Sequence, residues 1–204
     1  MLDYKEENKK AYNLYARKFD KKFGDFFHKY LEQKADFFLS QLKGKKILDL
    51  GSGPGNHADY FRKKGFDVLC LDISEEMLKL CEKKSLKTLL MDIENLSLEK
   101  NSFDGIWAYT SLLHVPKEKL PSILNKLKLA LKKEGILGIS VMEGTDSNFE
   151  TREHYPDTKR FFVYFQDEEL RDLFKKDFSI ISFSKTIVKD SPHIFLDYLL
   201  KLAE

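Results

Sequence analysis

Cysteine is nearly missing from this chain, with two in 204 residues. Cys70 and Cys81 are too few for a disulfide framework or a four-ligand zinc site. Cys70 also sits in an apolar run, so both read as reduced core residues. Histidine is sparse as well: five residues, scattered singly with no metal-ligand spacing, so no metal is expected. Charge of one sign is lacking. A formal net charge of +2 gives no strong pull towards nucleic acid or an anionic membrane. No run of about 18 apolar residues occurs, so no membrane-spanning helix is expected. The first residues are charged from Asp3 onward, without the apolar centre of a secretory signal, and a cytoplasmic address is expected. Repeats, low-complexity tracts and Pro/Gly-rich linkers are also missing, so residues 1–204 read as one domain.

What is present is enough apolar material for a core, 42% of residues, under a surface supplied by 33% charged residues. Lysine pairs such as Lys45-Lys46, Lys63-Lys64, Lys83-Lys84 and Lys132-Lys133 fall at element boundaries, which suits solvated helix ends better than a basic stripe. Residues 1–43 form a helical cap by periodicity: Tyr12, Tyr15, Phe19 and Phe23, then Phe26, Phe27, Tyr30, Phe37, Phe38 and Leu42, with a break at Gly24-Asp25. Between 44 and 142, short apolar runs at 45–50, 66–71, 86–91, 103–109 and 135–142 alternate with helical stretches at 56–64, 74 onward and 117–133. Such alternation predicts an α/β fold, doubly wound, with a mostly parallel sheet and helices on both faces. From 143 to 160 the chain is polar. A helix at 167–176 and strands at 178–188 and about 193–201 follow, the last pair joined by Lys189-Asp190-Ser191-Pro192, so the final strand should run antiparallel; His193 to Leu200 reads equally as a short helix.

The informative stretch is Ile47-Leu48-Asp49-Leu50-Gly51-Ser52-Gly53-Pro54-Gly55-Asn56-His57. A strand entering three alternate glycines can turn sharply and approach a ligand, and the following helix offers it unpaired N–H groups. The next strand ends in Leu71-Asp72-Ile73, where a carboxylate can take both hydroxyls of a ribose; the third ends in Met91-Asp92-Ile93, where an adenine amine could donate. A lone strand-end Asp is often only a helix cap, but two behind a glycine turn point to a nucleoside. The glycine spacing departs from the dinucleotide fingerprint. Asp49 beside the turn would repel a pyrophosphate and attract an ammonium, which points to S-adenosylmethionine. Met77 and Ile93 could sandwich adenine, or simply pack.

These motifs resemble the class I S-adenosylmethionine-dependent methyltransferases of the small-molecule type over about residues 10–185, through Ile47–Gly55, Asp72 with Ser74-Glu75-Glu76-Met77-Leu78, Asp92-Ile93 and Ser102-Phe103-Asp104-Gly105-Ile106-Trp107-Ala108. The turn Lys133-Glu134-Gly135 departs from the family's usual Pro-Gly-Gly. The resemblance implies a seven-stranded sheet with an antiparallel last strand, a cofactor core at 44–142, and a substrate flap with terminal hairpin at 143–204. It also implies that Tyr12 closes over the methionine end, and that Asp49, Gly51, Ser52, Gly53, Asn56, Asp72, Ile73, Met77, Asp92, Ile93 and Ala108 contact the cofactor.

Methyl transfer from a sulfonium depends chiefly on holding the acceptor in line, so the sequence locates the cofactor better than the acceptor. Tyr109 and His114, past the fourth strand, should lie near the methyl. His114 is a candidate general base, and Tyr109 a weaker catalytic candidate; a structural histidine before Pro116 is the competing reading. In the flap, Arg160 and Tyr164 are candidate acceptor contacts. Tyr155 and Lys159 match a dehydrogenase dyad, but matches of that kind arise by chance and Pro156 breaks the helix it needs. The expectation is an enzyme acting on a small-molecule acceptor. An RNA-directed transferase and a non-catalytic S-adenosylmethionine-binding regulator are the alternatives.

Overall fold

The computed structural model describes residues 3–189 and 191–203. Five apolar runs become parallel strands: β1 (Lys46–Leu50), β2 (Asp67–Asp72), β3 (Lys87–Leu90), β4 (Phe103–Tyr109) and β5 (Leu131–Glu143), side by side in the order β3-β2-β1-β4-β5. β8 (Phe178–Ile187) and β9 (Ile194–Leu202) complete them. β9 runs antiparallel to β5 from Ile136↔Lys201 to Met142↔Phe195, and β8 lies outside it. The antiparallel final strand is therefore as the terminal hairpin predicts. Asp190, read from the sequence as part of the link between the last two strands, lies outside the described residues.

Alternation of side chains across each strand feeds two cores. On one face Ile47, Cys70 and Trp107 pack with Phe38 of α3 (Glu32–Gln41) and Phe61 of α4 (Asn56–Lys63). On the other, Leu48, Leu50 and Ile106 pack with Ile123 and Leu127 of α6 (Leu120–Ala130). α5 (Glu75–Lys83) follows β2, and α7 (Asp167–Phe174) precedes β8. The helix read at 117–133 is shorter than expected, because residues 117–119 form a 3-10 turn and Leu131 already starts β5.

Two expectations are corrected. The cap does not break at Gly24-Asp25: α1 (Tyr4–Leu14) ends at Tyr15, while α2 (Ala16–Phe26) runs through Gly24 into a π turn at Phe27–Leu31 before α3. Phe27 and Leu31 are buried, so packing carries the helix past its glycine. The sheet also has nine strands and not the seven expected, because the polar stretch after β5 is itself paired. That stretch forms a hairpin, β6 (Ser147–Arg152) with β7 (Tyr155–Phe165), which joins the end of β5 at Met142↔Tyr164 and Glu143↔Phe165 and brings the sheet to nine strands. Buried Thr158 and Arg160 interrupt the apolar alternation that would have marked β7 as a strand.

Candidate functional site

The carboxyl ends of β1, β2 and β4 open into one cavity of about 730 Å³, roofed by α1, α2 and the β6–β7 hairpin. The floor is the glycine turn. Gly51 has φ +68°, and a Cβ there would come within 2.4 Å of Ser111 Cβ, so only glycine lets the turn and the loop after β4 meet. Asp72 ties the turn to β2: its Oδ2 accepts from Gly53 N–H (2.8 Å) and its Oδ1 from Ser74 N–H (2.9 Å). Burial pushes the Asp72 carboxyl up against these bonds. Asp72 is not the helix cap, since Ser74 Oγ accepts from Met77 N–H at the start of α5.

Asp92 is a cap that also reaches the cavity. It caps the short turn at Ile93–Asn95 through Glu94 N–H (2.9 Å) and lines the cavity. Its Oδ2 also accepts from Lys5 Nζ at 2.7 Å, and Lys5 bridges to Glu94 at 2.8 Å. Glu94 in turn accepts from the Tyr4 hydroxyl and from Lys119. The first turn of α1 is thus latched over Asp92.

Among the other expected positions, Tyr12, Gly51, Ser52, Gly53, Asn56, Ile73, Met77 and Ile93 line the cavity. The Asn56 amide is already engaged: Nδ2 donates to Asp20 O (2.9 Å) and Oδ1 accepts from Lys84 Nζ (2.9 Å). Of the expected acceptor positions, Tyr109, His114 and Arg160 line it. Three positions are displaced from expectation. Asp49 lies behind the turn on the Trp107 face, one oxygen without a partner; burial, then Asp72, pushes its carboxyl up to about 8. Asp49 is not among the residues that line the cavity. Ala108 is fully buried in the cluster around Leu112 and Ile123. Tyr164 is outside the wall, its hydroxyl bonded to Glu150, which does line the cavity.

Sequence reasoning expected the cap and the flap at the site but missed Asn8, Lys22 and Glu150. Asn8 clamps β7 by accepting from Phe161 N–H (2.7 Å), while Lys22, Glu150, Arg152 and Phe162 join the wall. The helical position of Lys22 was visible, but nothing local marks one lysine among many as facing the cavity, and the strands that carry Glu150, Arg152 and Phe162 were not read as strands. One signal was available only from backbone geometry: Thr110, after β4, has φ +60°, a strained value for a β-branched residue, and it lines the cavity.

His114 sits at the centre of a chain of bonds. The Phe161 carbonyl can only accept, so His114 Nδ1 carries the proton donated to it (2.6 Å). His114 Nε2 then accepts from the Tyr12 hydroxyl (2.6 Å), and Tyr12 Oη accepts from Arg160 Nη1 (3.3 Å). Burial pushes His114 down to about 3, a shift that costs imidazolium formation on the order of 5 kcal/mol. The general-base reading of His114 therefore gives way to a structural one, as a neutral acceptor that orients Tyr12. Tyr109 lies flat on Trp107 (centroids 3.6 Å apart), and burial holds its phenol well above its ordinary value, so it stays protonated.

Comparison with known proteins bears on this geometry. Residues 47–135 match the family model described as a methyltransferase domain. The segment from β1 to the start of β5, a little under half of the chain, is thus similar to a methyltransferase domain. The chain is 42% identical over 80 residues to a malonyl-[acyl-carrier protein] O-methyltransferase of Hamiltonella defensa, covering 36% of this chain and 31% of that one. It is 31% identical over 127 residues to a ubiquinone biosynthesis O-methyltransferase of Actinobacillus pleuropneumoniae, covering 57% and 52%. The matched part spans about a third to a half of the length of these relatives. In fold it is similar to the 1,6-didemethyltoxoflavin-N1-methyltransferase of Burkholderia thailandensis, crystallised with S-adenosylhomocysteine: TM-score 0.68, 18% identity, 88% of this chain and 86% of that one covered. Among the described residues no helix is long and apolar enough to cross a membrane, and no cluster of His, Cys, Asp and Glu could hold a metal.

Proposed function

We propose that this protein transfers a methyl group from S-adenosylmethionine to a small-molecule acceptor. One observation carries the reading: a glycine turn, the buried Asp72 and the partly covered Asp92 meet on the wall of a single cavity that Tyr12, Phe19, Phe23, Phe26 and Phe162 also line. That donor set fits an amino-acid nucleoside. The turn's backbone and Asp72 would hold the methionine and ribose parts, Asp92 and Ile93 the adenine, and Met77 its edge. When bound, S-adenosylmethionine supplies a methyl group already activated by its sulfonium. The chain's own part is then to position the acceptor and exclude water, which a cavity of about 730 Å³ under a latched cap suits. His114, neutral and occupied by Tyr12, fixes the Tyr12 hydroxyl beside Arg160 instead of accepting a proton.

The similarity to O-methyltransferases of an acyl carrier and of ubiquinone biosynthesis supports an acceptor of small-molecule type. We read residues 1–43, 44–142 and 143–204 as cap, core and flap of one domain, and a cytoplasmic setting suits its two free, buried cysteines. Calorimetry with S-adenosylhomocysteine tests the assignment. The wild type should bind, and Asp72→Ala should weaken binding by about tenfold or more. Unchanged affinity in that variant overturns the reading, and release of S-adenosylhomocysteine across a metabolite panel separates an enzyme from a binding protein.

A further inference from the structure

Arg160 is a buried cation without an anion. It is only 5% exposed, although long charged side chains are almost never so buried unless paired. Arg62, Arg152 and Arg171 each hold a carboxylate, at Asp59, Glu150 and Asp167. Among the described residues no carboxylate pairs with Arg160, and its polar partner is the Tyr12 hydroxyl at 3.3 Å. Aromatic faces surround it instead. The rings of Phe19 and Phe162 stand 5.0 Å from the guanidinium carbon, Tyr155 5.4 Å and Tyr12 5.5 Å. Such faces attract a cation by about 0.5–2 kcal/mol each but do not neutralise it, and they leave most of its N–H donors unmatched.

The neighbourhood increases the imbalance. Lys22 and Arg152 line the same cavity. Burial pushes Lys22 down, and the charges of Arg152 and Arg160 push it further. Glu150 is spent on Arg152 and the Tyr164 hydroxyl, while Glu153 also reaches the wall. Three cations thus share one region of the cavity. It is distinct from the carboxylate region: the Lys5–Asp92 contact and the Tyr12–Arg160 contact lie about 10 Å apart along α1 at its rise per residue. A guanidinium keeps its charge and neither wall glutamate pairs with it, so a ligand anion fits there, and the fork of N–H groups matches two oxygens at once.

We propose that Arg160 anchors an oxyanion, carboxylate or phosphate, carried by the methyl acceptor, with Arg152 and Lys22 completing the positive wall. The proposal rests on the methyltransferase reading only in making that ligand the acceptor. Its work is positioning: the anion fixes one end of the acceptor so that the rest lies along the aromatic wall.

The test uses protein saturated with S-adenosylhomocysteine and three probes of one shape, benzoate, phenyl phosphate and benzamide, titrated by calorimetry. At least one anion should bind, the tighter of the two identifying the group, and neutral benzamide should bind about tenfold more weakly or not at all. Arg160→Met should weaken the anion by about tenfold or more while S-adenosylhomocysteine affinity stays within about twofold, and Arg160→Lys should recover part of the loss. Equal binding of benzamide and the anions, no binding of either anion, or unchanged anion affinity in Arg160→Met overturns the proposal. If Arg160→Met does not fold, the Lys22→Met/Arg152→Met variant decides, and undiminished anion affinity there has the same meaning. Failure of the wild type to bind S-adenosylhomocysteine counts instead against the methyltransferase reading, and anion binding is then read on the protein alone.

Discussion

The Tyr12 hydroxyl donates to His114 Nε2 across 2.6 Å, and this bond joins the cap to the loop after β4 over the cavity. Around it, Asn8 clamps Phe161 and Arg160 reaches the same tyrosine oxygen, so α1, the β4 loop and β7 meet at one phenol.

Removing that hydroxyl should loosen the roof without emptying it. Tyr12→Phe keeps the ring against Phe19 and leaves His114 Nε2 and Arg160 short of a partner. A loss of about 1–2 kcal/mol in unfolding free energy is expected. Denaturant titration measures it, and a change near zero would mean the bond contributes nothing.

Stability should fall on the alkaline side because of Asp49. Its folded-state carboxyl titrates near 8 against an ordinary 3.8, so the native chain holds a proton that the unfolded chain releases. That contribution is complete below the ordinary value and is lost as pH rises through 8. Between pH 6.5 and 8 the loss is about 2 kcal/mol. Asp49→Asn should flatten this decline in thermal melts across that range. His57 and His114, pushed by burial to about 4 and about 3, act oppositely. Both are neutral in the native state, and the stability they contribute above 6.5 is lost as pH falls.

Gly51→Ala places a methyl group 2.4 Å from Ser111 Cβ on a backbone at φ +68°. The left-handed conformation alone costs about 1–2 kcal/mol, and the overlap adds to it, so a melting-temperature drop of about 5 °C or more is expected. Binding of S-adenosylhomocysteine should weaken in parallel, because the turn is part of the wall.

Lys5→Met breaks the latch on Asp92 and Glu94. The side chain is a quarter exposed, so the stability cost should be under about 1 kcal/mol. The effect should appear in dynamics: faster limited proteolysis within α1, and release of S-adenosylhomocysteine accelerated several-fold in stopped flow. Equal release rates would show that the latch does not gate the cavity.

Much of the sheet was legible because its signals are local. Apolar runs mark β1, β2 and β4, and the alternate glycines announce the turn after β1. The strand-end aspartates fall on the cavity wall by the same logic: a strand's carboxyl end in an open parallel sheet faces the ligand crevice. The β6–β7 hairpin was not legible, since buried Thr158 and Arg160 look like surface residues in sequence. Asp49 and Ala108 show the limit at finer scale: each follows or lies in the expected motif, yet strand alternation turns both into the core.

The order of strands and helices, the glycine turn and the carboxylates that end β2 and precede the Ile93 turn were set by the amino-acid sequence alone, because each depends on neighbours within a few residues. Which long side chains face inward was decided only when distant segments packed. Lys5, Lys22 and Arg160 are ordinary surface residues by type, and it is the closure of α1, α2 and β7 over the sheet that takes Arg160 out of water and brings Lys5 and Lys22 to the cavity wall.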